Sequence, residues 1–119
     1  MMSDAVRADL FLLKPGFGDP AFPDGVFFDR YSALLEGVLT AFPRLADKIR
    51  VHRVDFERPR QEVIRLAGEG CQTLPRLVLP PGLGSHHATD EHEGRRSVAG
   101  ATSIVAVLVE LYDIPPPHP

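Results

Sequence analysis

The sequence predicts one α/β domain over residues 1–119, with a four-stranded mixed sheet covered by helices on both faces. Three observations carry this prediction. Leu10-Phe11-Leu12-Leu13 is an unbroken apolar run, which suits a strand buried on both sides. Residues 27–42 (FFDRYSALLEGVLTAF) follow it with apolar side chains at helical spacing. Further along, strand-like and helix-like stretches alternate in the order β-α-β-α-β-β-α.

Taken in order, residues 1–8 are polar and read as a frayed N-terminus. The stretch Pro15 to Asp24 holds three Pro and two Gly and reads as loop, pinned to the domain by Phe17 and Phe22. In the first helix Tyr31, Leu34, Leu35, Val38, Leu39 and Phe42 form the inward face. Asp29 or Ser32 caps its first turn, Gly37 marks a close contact with the sheet, and Pro43 stops it.

Ile49 to Phe56 alternates imperfectly and predicts a second strand near an edge, parallel to the first. Pro59 fits the first turn of a second helix running from Arg60 to Ala67, with Val63, Ile64 and Ala67 inward. Thr73-Leu74-Pro75 leads into a third strand, Arg76 to Leu79, where a proline is tolerated only at the start. Residues 80–94 are a polar loop, and Arg95 to Val98 is a fourth strand paired with the third. Thr102 to Tyr112 is helical by the spacing of Ile104, Val105, Leu108, Leu111 and Tyr112. Residues 114–119 form an extended Pro-rich tail without a partner.

The composition excludes several classes of function. Thirteen basic and sixteen acidic residues leave a net charge of -3, and the lysines are Lys14 and Lys48 alone. With no basic stripe, neither nucleic acid nor an anionic membrane is an expected partner. A single Cys71 cannot form a disulfide within the chain. The apolar run at 10–13 is too short for a signal peptide or a membrane span, so a cytoplasmic location is expected. No Ser-His-Asp set or phosphate-cradling glycine loop is present.

The order of elements resembles the thioredoxin fold in its glutaredoxin-like form. Thr73-Leu74-Pro75 before a strand looks like that fold's cis-proline signature. Similar wording also opens the glutathione-binding half of glutathione transferases. The chain is more closely similar to an uncharacterised bacterial thioredoxin-like family, DUF3088. The matching stretches are LFLLKPGFGDP, the paired Phe27-Phe28 with ALLEG after it, Arg58-Pro59-Arg60, the TLP before the third strand, and the closing PPPHP. Members of that family typically carry Cys-Pro-His-Cys after the paired Phe. Here Asp29-Arg30-Tyr31-Ser32 stands in its place. Thiol–disulfide exchange needs a thiolate, so the resemblance implies a redox-inactive site.

What survives is a binding or interaction module with no catalytic residue and no required cofactor. Its implied surface is Asp29, Arg30, Tyr31 and Ser32 beside Thr73, Leu74, Pro75 and Arg76, where an extended peptide or a thiol ligand such as glutathione pairs with backbone. Arg30 and Arg76 can supply charge to an anion at the helix start, although a plain N-cap explains Asp29 and Ser32 as well. The alternative is a glutathione-dependent transferase or reductase using Ser32 or Tyr31 as hydroxyl donor. Against it, 119 residues leave no room for the second helical domain of such transferases. Protein, peptide and thiol partners stay open, and so does a homodimer. Cys71 reads as a packed core thiol. His86, His87 and His92, among Asp90, Glu91 and Glu93, have the chemistry of metal ligands but no recognised spacing, and a solvated loop is the simpler account.

Overall fold

The computed structural model describes residues 7–119. Strand β1 (Ala8–Leu13) is buried along its whole length and lies inside a five-stranded sheet. It pairs in parallel with β4 (Ile49–Val54) and antiparallel with β5 (Arg76–Val78). Beyond β5 come β7 (Arg95–Ala99) and then β6 (Asp90–His92), both in antiparallel pairings, so the order is β4-β1-β5-β7-β6. A separate two-stranded hairpin joins β2 (Phe17–Asp19) to β3 (Phe22–Phe27). The helices are α1 (Arg30–Ala41), α2 (Gln61–Ala67) and α3 (Ala101–Leu111), with a short 3-10 helix at Pro43–Asp47.

Alternation along β1 divides the interior in two. Leu10 and Leu12 enter one apolar cluster with Leu35 of α1 and Ile104, Val107 and Leu108 of α3. Phe11 points the other way and packs with Val54, Val78 and the α2 residues Val63, Leu66 and Ala67. Helices therefore cover both faces, as expected, and β4 is an edge strand. No helix among the described residues is long and apolar enough to cross a membrane.

The sheet has five strands and not the predicted four. The additional strand, β6, lies within the stretch 80–94 read as loop, because an edge strand needs only backbone pairing and accepts Asp, Glu and His. The two-residue link to β7, Glu93-Gly94, has φ of 48° and 82°, the left-handed pair of a type I′ hairpin. Glu in place of the usual Asn or Asp hid that turn.

The stretch Pro15 to Asp24 is likewise no plain loop but carries the β2–β3 hairpin. Its turn is held by the Ala21 N–H donating to Asp19 Oδ1 at 3.0 Å. Phe17 pins it by stacking on Phe56 at 4.5 Å, whereas Phe22 stays exposed. Pro23 fits inside β3 because the hairpin belongs to no larger sheet.

Three smaller expectations also change. On α1 the inward side chains are Ser32 and Leu35, with Val38, Leu39 and Phe42 partly buried; Tyr31 and Leu34 are half exposed. Gly37 touches nothing within 4 Å of where a Cβ would sit, so it marks no contact with the sheet. Pro59 precedes the N-cap Arg60 of α2 and is not in its first turn. The Pro-rich tail does have partners. Ile114 is buried in the α1–α3 cluster, and Pro115–Pro117 border an apolar cleft of about 420 Å³ with Leu34, Val38, Phe42 and Val105. Of the predicted frayed end, residues 1–8, only Arg7 and Ala8 are described; Ala8 already opens β1 and is buried, and the rest lies outside the described residues.

Candidate functional site

The C-terminal end of β1 sets the site. Its last residue, Leu13, donates its N–H to Ser32 Oγ at 3.0 Å, and that hydroxyl donates to Asp29 Oδ2 at 2.8 Å. Asp29 Oδ2 also accepts the Ser32 N–H at 2.9 Å, so Asp29 and not Ser32 is the N-cap of α1. Ser32 is 3% exposed. Its hydroxyl is thus committed as both acceptor and donor, and it anchors the helix start to β1.

The second half of the site follows from strand register. Phe11 of β1 sits opposite Arg76 of β5, and continuing that antiparallel register carries Leu13 to Leu74. The segment before β5 therefore runs beside the strand end that holds Ser32. The Leu74–Pro75 peptide is cis, as is Arg58–Pro59. Pro75 is buried and its carbonyl accepts the Gly100 N–H at 3.0 Å, while Thr73 is exposed. The chain itself supplies no backbone hydrogen bond to Leu74 among the described residues.

Arg60 holds this segment from below. It is 6% exposed, and its guanidinium donates to the carbonyls of Phe56 and Gln72, the latter at 2.8 Å. Its own N–H donates to Gln72 Oε1 at 2.8 Å, and its guanidinium lies over the Phe56 ring. Burial, with repulsion from Arg58 added, lowers its pKa from the ordinary arginine value. The loop after β4 and the loop before Thr73 are therefore joined by one cation.

Arg76 has a structural place. It is 4% exposed, with Nε on the Thr73 carbonyl at 3.3 Å and Nη1 on Asp90 Oδ2 and Ser97 Oγ at 3.2 and 3.1 Å. Its charge is matched by β6 and β7 and is not offered to a ligand. Arg30 and Tyr31 are exposed on the first turn of α1, and their side chains have no ion pair or hydrogen-bond partner among the described residues. On the outer side of α1, Arg53 grips Glu36 through two bonds of 2.8 and 2.7 Å, which lowers the Glu36 pKa below the ordinary carboxylate range.

An apolar surface beside these residues was not anticipated. Phe22, Val26 and Phe28 are 63%, 79% and 64% exposed, and Tyr31 and Leu34 continue along α1. The sequence signal was Phe27-Phe28, a pair of aromatics that no core periodicity accounts for. Cys71 is half buried and packs with Leu74 against the α2 cluster, in keeping with a core thiol. Among the described residues no three His, Cys, Asp or Glu side chains are grouped to hold a metal. His86 faces Glu110 of α3 at 3.9 Å, and His92 faces Glu93 at 3.8 Å.

No curated protein and no solved structure matches the chain. A family model does, over residues 7–116, and its description is a protein of unknown function. With nearly the whole chain covered, the protein belongs to the DUF3088 family.

Proposed function

We propose that this is a thioredoxin-like binding module that has lost its redox pair and captures an extended peptide or a thiol ligand along Leu74. The strand order supports the fold assignment. Strand β1 is parallel to β4 and antiparallel to β5, and β5 is antiparallel to β7. These directions agree with a glutaredoxin-like sheet to which one edge strand, β6, has been added. The hairpin at residues 17–27 is then an insertion before the helix that would carry the redox residues.

The observation that carries the functional reading is the contact between Asp29 and Ser32. Their side chains meet at 2.8 Å in the two positions of a Cys-x-x-C, yet they make a helix cap and not a thiol couple. A backbone at Leu74 left unpaired among the described residues, reached by register from the strand end that holds Ser32, retains what a strand-like ligand requires. Titration with short extended apolar peptides, followed by backbone amide NMR, tests the reading. Shifts at Thr73, Leu74 and the start of α1 are expected, and Phe28→Ala should weaken them. Shifts confined to other surfaces would reject it.

The enzyme alternative narrows to Tyr31, because the Ser32 proton is already given to Asp29. Tyr31 is 53% exposed and its hydroxyl is free to face a bound thiolate. Retention on immobilised glutathione that is lost in Tyr31→Phe would favour this alternative over the peptide module.

A further inference from the structure

Away from Leu74, past the other end of β5, a second cleft opens between α2 and the β6–β7 hairpin. Arg65, Leu66, Pro81, His92, Glu93 and Arg95 enclose about 300 Å³ there. Arg65 comes from the helix and Arg95 from the first position of β7. Neither side chain makes a hydrogen bond or ion pair with any described residue. Glu62 and Glu69, about one turn to either side of Arg65 on the chain, leave it unpaired.

This contrasts with the buried guanidiniums of Arg60 and Arg76, matched by the Phe56 and Gln72 carbonyls and by Asp90 and Ser97, and with exposed Arg53, matched by Glu36. Arg95 is half buried, yet its guanidinium has no such partner and keeps its donors free for a ligand that brings acceptors. The cleft carries one carboxylate, Glu93, whose side chain is 80% exposed and turned largely to solvent. In a protein of net charge -3, two guanidiniums against one solvent-turned carboxylate leave this cavity locally positive.

We propose that this cleft binds a small phosphate monoester. Arginine forks bind oxyanions through paired N–H groups. Here the two forks come from different elements. A tetrahedral phosphate offers oxygens in several directions and can meet both, whereas the two oxygens of a carboxylate lie in one plane and suit a single fork. Leu66 and Pro81 give the cleft an apolar wall for a short carbon skeleton. Its volume is at the low end for ligand pockets, which favours a small metabolite over a nucleotide.

The test titrates the full chain with inorganic phosphate, glycerol phosphate and acetate, read by amide NMR shifts. Saturable shifts at Arg65 and residues 92–95 are expected with both phosphates and not with acetate. Arg65→Ala, at an exposed helix position, should weaken phosphate binding by roughly tenfold. Arg95→Lys, which keeps the charge but removes the fork, should weaken it by a similar factor, and Glu93→Gln should strengthen it. No saturation by roughly 10 mM phosphate would overturn the proposal. Equal binding by the Arg65→Ala protein, or equal binding of acetate, would overturn it as well.

Discussion

On the face of the sheet beneath α1 and α3, fifteen buried residues, all apolar, form one cluster from Ala8 to Ile114. On the face beneath α2 the buried apolar cluster has six, and ions sit among them. Asp9, 6% exposed, accepts from Arg50 at 3.0 Å and bonds His52 at 2.7 Å, while His52 stacks on Phe11 at 4.6 Å. Arg76 bridges to Asp90 and Ser97 on the same face. The first face is stabilised by transfer of apolar surface from water, the second by pairing groups that are costly to bury alone. A seven-residue α2 is too short to cover its whole side of the sheet, so polar residues fill the remainder.

Substitutions on the two faces should therefore fail for different reasons. Leu108→Ala removes a fully buried side chain from the larger cluster and should cost about 2–5 kcal/mol in denaturant unfolding. Arg76→Met keeps the stem but strips the donors from Ser97 and Asp90, with an expected cost of about 1–3 kcal/mol. Its double-mutant cycle with Asp90→Asn should show coupling, whereas pairing Leu108→Ala with Asp90→Asn should give additive losses. Equal coupling in both cycles would erase the distinction between the faces. The smallest effect is expected at Gly37, exposed in mid-helix with open space at its Cβ position. Gly37→Ala should stabilise by about 0.4–1 kcal/mol.

The apolar face is also the legible one. Leu35, Ile104 and Leu108 declare themselves by helical spacing, and β1 by its unbroken apolar run. The α2 face is different because Asp9 and His52 lie 43 residues apart, and no local pattern foretells their bond. The same holds at the candidate site. Asp29 as a cap is visible in the sequence, but the bond that ties it to the sheet passes through Ser32 to Leu13, 19 residues away. Arg76 looked like a ligand-binding cation because its partners on β6 belong to a strand with no apolar signature.

The proposed binding module requires Asp29 and Ser32 to stand in the redox positions of a thioredoxin-like scaffold. Their side chains already touch, so Asp29→Cys/Ser32→Cys places two thiols where a disulfide can close. The decisive measurement is disulfide reductase activity of that folded double variant against the parent protein. The pair is expected to oxidise reversibly and to confer thiol-dependent turnover that the parent lacks. A folded variant whose cysteines form a disulfide but reduce no substrate would contradict it.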